Sequence, residues 1–120
     1  MNKRFLDKVV IVTGSGSGIG QTTAERFAEE GAKVIIAELD KTSGKLVEEN
    51  INKKNNQSKF IETDVSDFNS VNDMVNGAIK QFGPPDILIN NAGINVFSEP
   101  LKMSDAEWKK AFSNQFCLHM

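Results

Sequence analysis

The sequence predicts an α/β fold, a doubly wound parallel sheet with helices on both faces, and three observations carry that prediction. Four short, mostly β-branched apolar runs are continuous rather than alternating, as in parallel strands covered on both sides. The segments between them repeat apolar residues at helical spacing. A glycine cluster, "TGSGSGIG" from Thr13 to Gly20, stands where the first run gives way to the first helical segment.

The runs are Val9-Val10-Ile11-Val12, Val34-Ile35-Ile36-Ala37, Phe60-Ile61 and Ile87-Leu88-Ile89. Ile19 to Glu30 reads as a helix with Ala24, Phe27 and Ala28 on its inner face, stopped by Gly31. Thr42 to Asn55 is a weaker helix through Leu46, Val47 and Ile51. The clearest helix carries Val71, Met74, Val75, Ala78, Ile79 and Phe82 in one stripe, with Ser66 as its expected N-cap and "GPP" at Gly83 to Pro85 ending it. A last helix opens with a capping box, Ser104 and Glu107, and continues through Trp108, Ala111, Phe112, Gln115 and Phe116. Strands and helices therefore alternate, which implies right-handed crossovers. The third strand, "KFIET", is short and charged at both ends and suits a sheet edge.

At 120 residues the chain is expected to form a single domain over residues 1–120. Its 14 basic and 16 acidic side chains are interspersed, which argues against a nucleic-acid or anionic-membrane surface. The lone Cys117 has no internal disulfide partner, and no apolar run approaches the roughly 20 residues of a membrane span. The N-terminal "MNKRFLDKVV" has no signal-peptide pattern, so a cytoplasmic location is expected.

Spacing decides what the glycines are for. A mononucleotide P-loop needs a lysine after its last glycine, and none occurs between Lys8 and Lys33. The Gly-x-Gly-x-x-Gly fingerprint fails as well, because no set of glycines here falls at offsets 0, 2 and 5. What remains is Thr13-Gly14, three residues, then Gly18-Ile19-Gly20, with Gly16 outside the required set. A strand ending in bare backbone before a helix N-terminus is a pyrophosphate cradle, to which Ser15 and Ser17 can add hydroxyl donors. The bland alternative is a tight glycine turn.

Glu38, at the end of the second run, follows Gly20 at about the 20-residue distance expected of an acid that grips ribose hydroxyls. A carboxylate there repels a 2′-phosphate, so NAD is expected over NADP, with nearby Lys41 as the one opposing feature. Asp64 and Val65 follow the third run, and Asn90, Asn91, Ala92 and Gly93 follow the fourth. Ligands of open α/β sheets bind at these strand ends. Taken singly, a strand-end acid or an Asn-Asn-Ala-Gly turn is unremarkable; their joint placement carries the argument.

Thr13-Gly14-x-x-x-Gly18-Ile19-Gly20, Asp64-Val65 and Asn90-Asn91-Ala92-Gly93, in this order, resemble the short-chain dehydrogenase/reductase family from Lys8 to about Phe112. The resemblance implies a Rossmann-type sheet of about four strands, cut short relative to the family, and an NAD(P)-dependent oxidoreductase of alcohols, sugars or 3-oxoacyl substrates. It implies that the loop of Gly14, Ser15, Ser17, Gly18, Ile19 and Gly20 holds the pyrophosphate and that Glu38 selects NAD. It likewise places Asp64 and Val65 at the adenine, and Asn90, Ala92 and Gly93 along the nicotinamide ribose. The family's catalytic Ser and Tyr-x-x-x-Lys are not matched, and the 120 residues contain no tyrosine. Hydride transfer to a carbonyl needs a proton donor at the forming alkoxide. His119 reads as a tail residue, and Gln115 stands where the family has an Asn of its proton relay.

The expectation is thus a cofactor-binding half, inactive by itself, with a truncation or frameshift near Ser113 and no catalytic or metal-binding residue of its own. A central fourth strand left without its family neighbour would expose an apolar edge through which the chain can self-associate. The other readings are a non-catalytic module binding a nucleotide or a partner, and a non-functional remnant. The loop from Ile94 to Met103, Phe97 included, would bear on a small-molecule substrate whose identity the sequence does not encode.

Overall fold

The computed structural model describes residues 3–91 in full and residues 95–97 as a strand. The elements are β1 (Val9–Thr13), α1 (Gly18–Glu29), β2 (Lys33–Glu38), α2 (Lys41–Lys53), β3 (Gln57–Glu62), α3 (Phe68–Phe82), β4 (Ile87–Asn90) and β5 (Asn95–Phe97). The helix expected through Trp108 and Phe116 lies outside the described residues.

One sheet has the order β3-β2-β1-β4-β5. The first four strands are parallel, with Ile11 paired to Ile35 on one side and to Leu88 on the other. Every residue of β1 is buried, which is why its run is continuously apolar. Successive side chains face opposite layers. Ile11, Ile35, Ala37 and Leu88 pack under α3 through Val71, Met74, Val75 and Ala78. Val10, Val12, Val34, Ile36 and Ile89 pack under α1 and α2 through Ala24, Ala28, Val47 and Ile51. The fold is the doubly wound, Rossmann-type sheet the sequence predicts.

Local chemistry accounts for the boundaries, with three departures from expectation. The N-cap of α3 is Asp67, whose carboxylate accepts from Asn69 N–H at 2.9 Å, rather than Ser66. Ser66 instead closes a turn on Asp64. Leu46, placed by periodicity on the inner face of α2, is 55% exposed, and Val47 and Ile51 carry that contact. The outer edge of β4 is also not left open: β5 runs antiparallel along it, Ile89 opposite Val96. β3 does occupy a sheet edge, and Gly83 does end α3, at a φ of 107° that favours glycine.

The strand starts are tied together at the far end from the glycine loop. Asp86 accepts from Val9 N–H at 2.9 Å through its carboxylate and donates its own N–H to Val9 O at 2.8 Å. Arg4 and Arg26 both reach Glu30 at the end of α1, holding its carboxyl below the usual range chiefly through the Arg4 hydrogen bond. Among the described residues no helix is long and apolar enough to cross a membrane.

Candidate functional site

Strand order reverses between β1 and β4, so the crevice beyond their carboxyl ends is the switch point where ligands of such sheets bind. The glycine loop lies there. Gly14 continues the ladder, its N–H donating to Ala37 O at 2.9 Å, and then turns with φ 62°. Gly18 opens α1 at φ 58°, with no atom within 4 Å of where a Cβ would stand. Both conformations belong to the left-handed region that glycine enters without steric cost.

Gly20 is required for a different reason. A Cβ there would strike the carbonyl oxygen of Gly14 and lie 2.7 Å from Asn91 Nδ2. The first turn of α1 therefore touches the end of β1 backbone to backbone. Gln21 N–H is the first to find a helical acceptor, Ser17 O at 3.2 Å, so the N–H groups of Gly18, Ile19 and Gly20 precede any intrahelical partner. No acidic side chain occupies that first turn to offset the positive end of the dipole. Ser17 and Gly18 are exposed and Ile19 is 78% exposed, so this helix end faces outward.

Ser15 departs from the role expected of it. Its side chain is fully buried and its hydroxyl donates to Val12 O at 2.8 Å, bracing the loop from inside rather than offering a proton to a ligand. Ser17, the exposed N-cap residue, makes no side-chain capping bond to the helix.

Glu38 comes to the same loop from the end of β2. Its Oε1 accepts from Gly16 N–H at 2.8 Å and its Oε2 from Asp40 N–H at 3.0 Å. Gly16, which the motif spacing leaves optional, is thus constrained: a Cβ on it would fall 2.7 Å from Glu38 Oε1 and 2.6 Å from Ser43 Oγ. Lys41, the feature that opposed an NAD preference, pairs at 3.7 Å with Glu62 at the end of β3.

Asp64 and Val65 follow β3. Asp64 Oδ1 accepts from the Ser66 hydroxyl at 2.6 Å and from Ser66 N–H at 3.0 Å, and these bonds hold its carboxyl below the ordinary aspartate range. Val65 packs against the core cluster under α3. Asn90 ends β4 fully buried, its Oδ1 accepting from Thr13 Oγ1 at 2.9 Å across the switch point. Asn91, quoted in the motif but not singled out as a site residue, donates from Nδ2 to Gly14 O at 3.2 Å and so ties β4 to the glycine loop. Ala92 and Gly93 lie outside the described residues. Ser43 gave no signal of its own in the sequence, since it is a helix residue 23 places after Gly20 with no motif around it.

The residues present fit a dinucleotide: bare backbone where a Cβ would collide, exposed helix N–H groups, and a fixed carboxylate at the next strand end. A parallel sheet that reverses its order beside a glycine-rich helix N-terminus defines a Rossmann-type α/β chain. The short chain dehydrogenase model matches residues 8–117, and the chain belongs to that family. Among its relatives, an uncharacterised oxidoreductase of Thermotoga maritima is 41% identical over 107 residues, 86% of this chain and 40% of the relative. The meso-2,3-butanediol dehydrogenase of Serratia marcescens is 36% identical over 107 residues, 89% of this chain and 42% of the relative. Among solved structures, a 3-ketoacyl-(acyl-carrier-protein) reductase from Brucella melitensis complexed with NADH superposes with a TM-score of 0.66 at 37% identity, covering 70% of this chain and 33% of that one. A short chain dehydrogenase from Mycobacterium smegmatis superposes with a TM-score of 0.74 at 25% identity over 99% of this chain and 53% of that one. The chain thus spans about two fifths of the length of the curated relatives it matches.

Proposed function

We propose that this chain carries the dinucleotide site of an oxidoreductase that moves hydride between a nicotinamide and an alcohol or carbonyl carbon of a small substrate, with NAD preferred to NADP. The observation that carries the reading is the Glu38 carboxylate held against the glycine loop by Gly16 N–H, beside the open N-terminus of α1. Gly14, Gly18 and Gly20 let a pyrophosphate approach, and the N–H groups of Gly18, Ile19 and Gly20 with the Ser17 hydroxyl hold it. Glu38 accepts from the adenosine ribose and repels a 2′-phosphate. Asp64 and Val65 border the adenine, and Asn90, braced by Thr13, borders the nicotinamide ribose together with Ala92 and Gly93. The nicotinamide, when bound, supplies or accepts the hydride. The names of the butanediol dehydrogenase and ketoacyl reductase relatives support an alcohol or carbonyl as the reacting group.

The 120 residues contain no tyrosine to serve as the family's proton donor, which supports binding without turnover by this stretch alone. Calorimetric titration with NAD, NADP and ADP-ribose tests the proposal. Saturable heat is expected for NAD and ADP-ribose and weaker binding for NADP, with no change in nicotinamide absorbance when an alcohol is added. Absence of saturable binding to all three overturns it.

A further inference from the structure

We propose that Gly16, outside the glycines that the motif requires, is a specificity-determining residue that acts by positioning Glu38. This deepens the NAD reading above and rests on it.

An ionised carboxylate offers about four lone-pair directions, two on each oxygen. In this chain one direction on Oε1 is taken by Gly16 N–H and one on Oε2 by Asp40 N–H. One acceptor site per oxygen remains, which matches the two hydroxyl donors of a vicinal ribose diol. The same two bonds have a second effect. A 2′-phosphate is an acceptor at neutral pH and needs donors, and the two backbone N–H groups nearest the acid are already engaged by Glu38. Selection against the phosphate therefore has two parts, repulsion by the carboxylate and occupation of the donors.

The arrangement depends on a hydrogen atom at position 16. A methyl group there would lie 2.7 Å from Glu38 Oε1, 2.8 Å from Glu38 Cγ and 2.6 Å from Ser43 Oγ. Ser43 Oγ, held only by a hydroxyl contact of 3.4 Å to Asp40 O, can turn aside, but that leaves the contacts with Glu38 Oε1 and Cγ unrelieved. The side chain that yields is Glu38. Once displaced, it leaves Gly16 N–H and Asp40 N–H facing the ribose as donors. Gly16→Ala therefore weakens the diol contact and improves the phosphate contact together, without changing any charge.

The test is the ratio of NAD to NADP affinity, measured by calorimetry on the 120-residue chain and on Gly16→Ala, with circular dichroism to establish folding. The ratio is expected to fall at least about tenfold, as for loss of one charge-assisted hydrogen bond. A folded Gly16→Ala that keeps the original ratio overturns the inference and leaves the NAD reading standing. An unaltered chain that prefers NADP, or binds neither, overturns both. Amide hydrogen exchange supplies a readout that needs no cofactor and no folded Gly16 variant: in Glu38→Ala the Gly16 amide is expected to exchange faster than in the unaltered chain. Unchanged exchange there overturns the positioning role.

Discussion

Gly20→Ala tests whether the glycine loop is built by close backbone approach. The added Cβ would meet Gly14 O directly, with Gly14 C at 2.9 Å and Asn91 Nδ2 at 2.7 Å. The backbone partner cannot move freely, since Gly14 N–H is bonded to Ala37 O in the sheet ladder. Overpacking of this kind costs about 1–3 kcal/mol. Displacing Asn91 from Gly14 O removes a hydrogen bond worth about 1 kcal/mol. Alanine recovers at most about 1 kcal/mol of helix propensity, and less in a first turn. A net loss of about 1–3 kcal/mol follows, read as a lower urea midpoint by circular dichroism, together with weaker NAD binding by calorimetry. Gly18→Ala is the control. Nothing lies within 4 Å of its Cβ, so its cost is the left-handed φ of 58° alone, about 1–2 kcal/mol, and Gly18→Asn should recover part of it. A Gly20→Ala chain with an unchanged or higher midpoint and unchanged NAD affinity would refute the close-approach argument.

Gly44→Ala should destabilise the chain by about 1–2 kcal/mol despite adding helix propensity, because its Cβ would enter the Phe60 ring; paired Gly44→Ala and Phe60→Leu urea curves should show the cost shrinking when the ring is gone. Asp86→Ala removes the acceptor from the buried Val9 N–H and should cost about 1–3 kcal/mol, while NAD affinity stays unchanged because this tie is at the opposite end of the strands from the glycine loop. Ser66→Ala should raise the Asp64 titration midpoint toward the ordinary aspartate value, followed by carboxyl carbon shifts in NMR. Because the folded carboxyl titrates below its unfolded value, its contribution to stability is complete above the unfolded value and disappears as pH falls through the folded one. Ser66→Ala should accordingly flatten the acid limb of the stability curve.

Much of the architecture was legible because it is written in local patterns. Val9 to Val12 and Val34 to Ala37 are buried on both faces, and only continuous apolar runs satisfy that environment. The stripe from Val71 to Ala78 marks the inner face of α3 correctly, because four apolar residues at i, i+3, i+4 and i+7 define a single face. The weaker pattern of α2 misplaced Leu46, since two neighbouring apolar residues define a face only to within about one 100° step. The N-cap of α3 was missed for a similar reason. Ser66 and Asp67 are both good caps, and the competing turn that engages Ser66 with Asp64 decides between them.

The candidate site divides along the same line. Spacing singled out Gly14, Gly18 and Gly20, because the chain's path from strand end to helix start demands special backbone, while strand-end position pointed to Glu38, Asp64 and Asn90 and the family resemblance supplied their expected roles. Only the tertiary structure turned Ser15 inward to Val12 O, bound Asn91 to Gly14, and laid β5 along β4. Gly16 shows the difference most plainly: spacing made it dispensable, whereas the tertiary structure brings the Glu38 carboxylate from the neighbouring strand onto its N–H and into the space a Cβ would take. Local conformation follows from each residue's own sterics and its near neighbours, so the sequence by itself determined β1 to β4, α1 to α3 and the glycine turn that joins β1 to α1. Which side chains meet across the sheet depends on strand order and register, and those were decided only when the layers packed.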